Sequence, residues 1–360
     1  MNANTAPEHA ALQTQAAALV QRATGETALR QFQPLRGGGN NQVFRLELPT
    51  RTLLLKCYFH HAHDPRDRLS AEFAFARFAW AQGLRCLPEA LAADPLHHLG
   101  LYEFVTGRMP QPEDLNADRL AEALTFYLEL NRHKLHPTAA LLPSASEACF
   151  TLAEHLARVE ARIAHLHHLE TPTVVDAAAA AFVRGPLATQ WQQLATYVQQ
   201  TAATYGLDLT EPLAQADRCL SPSDFGFHNA VLAADNRLRF IDFEYAGWDD
   251  PAKLVGDFFC QPAVPVPLHF FAAFAEQVAQ PMHEPRIQRA RIGLLLPVYQ
   301  LKWCCIMLND FLPVGSARRR FARTQSELAQ RKPVQLAQAQ AALQRVPMLC
   351  ALAAEVAALA

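Results

Sequence analysis

None of the eight cysteines forms a C-x-x-C pair, so the usual spacing of a zinc or redox site is absent. Cys57, Cys86, Cys149, Cys219, Cys260, Cys304, Cys305 and Cys350 stand mostly beside apolar residues, as in Trp303-Cys304-Cys305-Ile306. They read as small buried hydrophobes, a usage that fits a reducing cytoplasm. Excess charge is also lacking. The formal net charge is −2, which argues for neither nucleic acid nor an anionic membrane as partner. The densest basic run, Arg318-Arg319-Arg320, is short and reads as a solvated helix face.

Long apolar runs free of polar residues are missing too. The best candidate, Ile292 to Leu312, contains Pro297, Gln300, Lys302 and Asn309, so a buried helix is expected and not a membrane span. The N-terminal MNANTAPEHAALQTQ has no basic start followed by an apolar stretch, so no secretory signal is read. Histidines cluster at His60, His61 and His63, at His97 and His98, and at His165, His167 and His168. None shows the i, i+4 spacing with a carboxylate that a helical zinc site has.

What remains is a 360-residue chain, 51% hydrophobic and 18% charged, with ample material for a core and length for two domains or one bilobal unit. Residues 8–23 have an Ala-rich helical pattern. Strands are expected over 31–36, 42–48, 52–59, 86–92 and 99–105. In the second, Phe44, Leu46 and Leu48 share one face. A helix is expected over 68–82, stopped by Gly83 at a C-cap position. After a break at Thr106–Pro110 the pattern turns helical, at 116–134, 147–169, 174–204, 286–309 and 318–356. The fold class is therefore α+β. A small antiparallel-sheet lobe is expected over 1–105, and a larger, mostly helical lobe over 106–360.

One β-like island interrupts the helical half, SPSDFGFHNAVLAADNRLRFIDFEYAGWDDP at 221–251. Asp224 precedes Asn229 by five residues. Strand 230–233, a turn at Asp235-Asn236 and strand 237–241 then lead to Asp242. A hairpin of that length brings its ends together, so Asp224 and Asn229 are expected near Asp242. Two carboxylates and an amide oxygen form a hard-oxygen pocket suited to Mg²⁺. Phosphoryl transfer needs such a pocket, with one carboxylate on the acceptor hydroxyl and metal ligands beside the phosphates.

The first hundred residues offer complementary pieces. Gly37, Gly38, Gly39, Asn40 and Asn41 lie between two strands, where backbone can approach phosphates closely. Standing alone they read equally well as a flexible hairpin turn. Lys56 lies in an apolar strand, where a charge is costly unless paired. Glu72, on the following helix beside Phe73, Phe75 and Phe78, is the candidate partner. The other reading is that both snorkel to solvent. Leu101–Val105 closes the strand region, and Glu103 and Val105 are candidate backbone contacts for an adenine edge.

The series of glycine-rich turn, Lys56, Glu72, connector 102–108, D-x-x-x-x-N and IDFE resembles the protein-kinase-like superfamily. More narrowly it is similar to the aminoglycoside phosphotransferase and choline kinase branch, where the loop reads H-G-D-x-x-x-x-N and a D-P pair follows IDFE or IDWE. The resemblance spans roughly residues 31–260. It implies a two-lobed kinase-like fold that uses ATP and Mg²⁺. Asp224 would be the base and Asn229 and Asp242 the metal ligands. Lys56 would lie on the α- and β-phosphates, paired with Glu72, and Gly37–Asn41 would cover the phosphates.

Three positions depart from that branch. Pro222 stands where it has His, a loop-supporting residue, and Ser223 where it has Gly. Leu254 stands where it often has a second Asp, with Asp257 a little later. Gly226 and the short stretch from Asp242 to Pro251 argue against a protein Ser/Thr kinase, which carries Lys at the first place and a long activation segment at the second. A small-molecule acceptor is expected, such as an aminoglycoside, amino alcohol, sugar or nucleoside. Glu244, Asp249, Asp250 and Asp257 could hold a cation, or could cap helices or serve the metal site. The alternative function is a catalytically silent nucleotide-binding regulator. Oligomeric state is not legible.

Overall fold

The computed structural model describes residues 5–35, 41–60, 64, 66–312 and 325–358. The loop residues Gly37–Asn40, His61, His63 and the run Arg318–Arg320 lie outside them.

Helix α1 (Thr5–Thr24) precedes a five-stranded antiparallel sheet. Its strands are β1 (Gln31–Leu35), β2 (Gln42–Glu47), β3 (Thr52–Cys57), β4 (Ala90–Asp94) and β5 (Leu99–Glu103), in the order β1-β2-β3-β5-β4. Side chains alternate across a strand, and here the alternation divides labour. Leu53, Leu55 and Cys57 of β3 join Phe44, Leu46, Leu99 and Leu101 under Ala16, Leu19 and Val20 of α1. Lys56 therefore faces the other way, toward α2 (Arg68–Ala81). Asp67 caps α2, its carboxylate accepting from the Ser70 amide at 3.0 Å. Gly83, at φ +89°, ends it in the left-handed conformation that favours glycine.

Strand β4 starts at Ala90, later than the sequence pattern suggests. Pro88 has no N–H to give a ladder, so Cys86–Glu89 stays outside the sheet.

The expected break after 105 is a short strand, β6 (Gly107–Arg108), paired with β8 (Ala230–Ala233) of the second half. A Cβ at Gly107 would lie 2.4 Å from the Leu232 carbonyl oxygen, so only glycine permits this pairing. Next come α3 (Ala117–Arg132), α4 (Leu152–Leu166), α5 (Val174–Phe182) and α6 (Ala188–Thr204). Helix α4 begins later than its pattern because Thr151 and Glu154 form a reciprocal capping box. Helices α5 and α6 are joined by a wide π-helical turn over Val183–Leu187, where Pro186 lacks an N–H to donate.

Strand β7 (Cys219–Ser221) leads into the loop carrying Asp224, and β8 and β9 (Leu238–Phe240) form the expected hairpin. The sequence reading has no counterpart for β10 (Gly247–Asp249), antiparallel to β7, or for α7 (Pro251–Cys260), buried on all sides. Helix α8 (Phe271–Ala279), also unread, packs against α9 (Pro285–Met307). The segment Pro285–Phe311 is long and apolar enough to cross a membrane, but 83% of its apolar window is buried inside the fold, as in a core helix. Helices α10 (Gln325–Gln344) and α11 (Val346–Ala358) pack on it.

Candidate active site

Lys56 is 6% exposed, and its ammonium lies 2.8 Å from Glu72 Oε1 and 2.7 Å from Asp242 Oδ1. Burial works against the charge, but Asp242 and Glu72 outweigh it and hold the lysine protonated well above its usual range. Tyr58 donates to Glu72 Oε2 at 2.7 Å, which leaves that carboxylate supported on both oxygens.

Asp242 reaches Lys56 because the hairpin closes on it. The Ile241 amide donates to the Asn229 carbonyl at 2.9 Å, which sets Asp242 beside Asn229. Asp242 has φ +67°, a left-handed geometry uncommon for a non-glycine residue and typical of functional turns. The Asn229 side-chain nitrogen donates to the Asp224 carbonyl at 2.9 Å, so its Oδ1 is the side-chain atom that could serve a cation. Glu72, Lys56 and Asp242 are thus in direct contact, Asn229 is bonded to Asp224, and the Ile241–Asn229 backbone bond sets the two groups side by side.

His228 is part of this site and was not singled out in the sequence, although it lies inside D-x-x-x-x-N. Its Nε2 is 3.1 Å from Asp224 Oδ1. Burial resists both charges, yet each partner outweighs it for the other: the Asp224 carboxyl is held below, and the imidazole above, its ordinary range. The ring stands over Gly226, where an added Cβ would come within 2.6 Å of His228 Nδ1. Gly226 is thus required for the contact with Asp224.

The other candidates fall differently. Asn41 is buried, and its side chain is already engaged, donating to Glu244 Oε2 at 2.6 Å and accepting from the Phe59 amide at 3.2 Å. Any role toward phosphate falls to its backbone. The Glu103 amide is taken by the Glu89 carbonyl at 2.9 Å, so it is not open to a nucleobase. Val105 is half-buried in the connector between β5 and β6.

The four acids considered for a cation are neutralised internally. Asp249 meets Lys253 at 2.6 Å, and Asp257 accepts from Lys302 at 3.0 Å and from Trp303 at 2.9 Å. Asp250 caps α7 through the Ala252 amide, pairs with Arg291 at 2.8 Å and touches His155 at 2.9 Å. Glu244 holds Asn41 and lies 3.8 Å from Arg68. Asp249 and Asp250 are fully buried. These residues are internal structure, because a buried carboxylate persists only when paired. Among the described residues no three His, Cys, Asp or Glu side chains gather as a metal cluster. The His60 and His98 rings stack at 4.3 Å.

A five-stranded antiparallel lobe and a larger helical lobe, with these residues between them, make a two-lobed, kinase-like α+β fold. The family profile described as the phosphotransferase enzyme family matches residues 31–258, and the chain belongs to that family. No curated protein matches the sequence. Among solved structures, the chain is similar to a spectinomycin phosphotransferase in complex with ADP and spectinomycin, at 12% identity and a TM-score of 0.59, covering 92% of this chain and 98% of that one. It is also similar to a choline kinase from Cryptosporidium parvum, at 14% identity and a TM-score of 0.52, covering 94% and 99%. A choline kinase from Streptococcus pneumoniae matches at 11% identity with a TM-score of 0.54, covering 92% and 99%. At these identities the likeness is one of fold.

Proposed function

We propose that the protein transfers the γ-phosphoryl group of ATP, bound with Mg²⁺, to a hydroxyl of a small molecule. The observation that carries this reading is the contact of Glu72 and Asp242 with Lys56, together with the Ile241–Asn229 backbone bond that sets Asp242 beside the Asn229–Asp224 pair.

The donor set suits a hard divalent cation. Asp242 has a partly exposed carboxylate, Asn229 offers an amide oxygen, and Lys56 sits beside them to meet phosphate oxygens. When bound, Mg²⁺ neutralises charge on the β- and γ-phosphates. The chain's own residues do the rest. Lys56, kept charged and fixed by Glu72, orients the α- and β-phosphates. Asp224, ionised at neutral pH, accepts the acceptor's hydroxyl proton. His228 engages one Asp224 oxygen and leaves the other for that proton. Of the glycine-rich turn expected over the phosphates, Gly37–Asn40 lie outside the described residues, and Asn41 would contribute through its backbone. Glu103, through its carbonyl, and Val105 border the adenine. On this reading the lobes divide at 105/106, since β6 already pairs with the second half.

Binding of ADP and spectinomycin by one similar protein, and the presence of choline kinases among the similar structures, support a nucleotide and a small soluble acceptor. The internal pairing of residues 244, 249, 250 and 257 removes the argument they gave for a cationic acceptor. All eight cysteines are free, in keeping with a cytoplasmic place.

The test is incubation with γ-labelled ATP and Mg²⁺ in a cell extract separated into low-mass and protein fractions. Label should enter the low-mass fraction. Label in protein alone, or no transfer to any acceptor in a screen of amino alcohols, sugars, nucleosides and aminoglycosides, overturns the reading.

A further inference from the structure

The backbone just before Asp224 makes an unusual turn. The Asp224 amide donates to the Pro222 carbonyl at 2.9 Å, across a Ser223 whose φ is +66°. An i to i+2 bond around a central residue of positive φ is a classic-type γ-turn, which is rare and strained. Glycine would adopt that φ at little cost, yet serine stands there.

The Ser223 hydroxyl explains the choice. It accepts from Lys253 Nζ at 2.9 Å and lies 3.4 Å from the Ser146 carbonyl. The Ser223 amide donates to Ser221 Oγ at 2.9 Å. Lys253, 1% exposed on α7, is itself anchored by Asp249 Oδ2 at 2.6 Å, with Asp257 Oδ2 at 3.7 Å. Asp249 belongs to β10, whose register against β7 pairs Gly247 with Ser221. A buried ammonium thus ties the helix, the strand pair and the turn together. The turn in turn sets two atoms of the site: the Asp224 carboxylate, and the Asp224 carbonyl that orients Asn229.

We propose that Lys253 is a positioning residue. Through the Ser223 hydroxyl it holds the strained turn that aims Asp224 and Asn229. Its kinetic consequence rests on the phosphotransfer reading, and its structural consequence does not.

The test compares Lys253→Met, Ser223→Gly and the double variant. Turnover is followed as ADP released from ATP and Mg²⁺ with water as acceptor, and hydrogen exchange is followed on the peptide spanning 219–229. Lys253→Met is expected to lower kcat roughly 10- to 100-fold, the scale of a small misplacement of a reacting group, with the KM for ATP little changed. In the Ser223→Gly background, where the turn needs no holding, the same substitution should cost much less. Exchange over 219–229 should quicken in Lys253→Met while α9 stays protected. An equal loss in both backgrounds means that Lys253 only satisfies Asp249, and it overturns the proposal. So does unchanged exchange over 219–229. If the parent neither binds nor turns over ATP, the phosphotransfer reading fails and the exchange comparison still decides on Lys253. Where Lys253→Met does not fold, Lys253→Met with Asp249→Asn removes the orphaned carboxylate and the same comparisons apply.

Discussion

Lys56 and Asp242, 186 positions apart, meet at 2.7 Å, and Glu72 closes on the same ammonium at 2.8 Å. One buried cation therefore joins the sheet lobe to the hairpin of the helical lobe. On the proposed reading it marks where the phosphates lie.

Lys56→Ala and Glu72→Ala should be strongly non-additive. Partners in one buried pair commonly couple by about 0.5–3 kcal/mol. A double-mutant cycle on ATP affinity, by calorimetry, measures this term. A cycle that closes at zero would show that the pair does not act as a unit in solution.

Asp224→Asn should keep ATP affinity and lose turnover. Removing a positioned general base costs roughly 10²–10⁴-fold. Steady-state kinetics with a saturating acceptor tests it. Turnover at the parental rate would remove Asp224 from the role of base.

Asp242→Ala should abolish the Mg²⁺-dependent part of ATP affinity. It also strips Lys56 of one carboxylate, so binding without Mg²⁺ is expected to change less. Titrations with and without the metal separate the two effects. Equal affinities for parent and variant in both conditions rule out the metal role.

Gly226→Ala should fold and work poorly. The new methyl meets the His228 ring at 2.6 Å, and a ring can swing aside where backbone cannot. The expected outcome is a nearly unchanged melting temperature with a reduced kcat, because His228 leaves Asp224. A crystal structure of the variant with the 3.1 Å contact intact and kcat unaffected contradicts this.

Stability should fall with pH through His155. Burial lowers its pKa, outweighing the favourable Asp250 carboxylate. The unfolded imidazole takes up a proton near pH 6.5, and the folded one does so only at lower pH. The unfolded state thus binds more protons as pH drops, and stability fully present above about 6.5 is lost below it. The slope from this one group is at most about 1.4 kcal/mol per pH unit. Urea unfolding at pH 7.5, 6.5 and 5.5 should show it, and His155→Asn should lack it. Matching slopes in parent and variant would assign the dependence to other groups.

The sequence by itself determined a good deal. Period-two patterning around Phe44, the Leu-rich run at 52–59, the Gly83 stop and the spacing of Asp224, Asn229 and Asp242 are local signals. They were enough to draw the sheet lobe, α2 and the hairpin. The pairing of Lys56 with Glu72 was legible because charges in apolar segments need partners. Tertiary structure alone decided the rest. For Asp249, Asp250 and Asp257 the sequence leaves a cation site, helix capping and the metal site equally open; in the fold each has a basic partner, Lys253, Arg291 and Lys302, and Asp250 also caps α7. The uniformly apolar pattern of α7 gave no period to read, since a helix buried on every side has no polar face. His228 and Lys253 gained their places from a glycine with room for a ring and a serine forced to positive φ. Those are properties of backbone geometry, which residue types only permit.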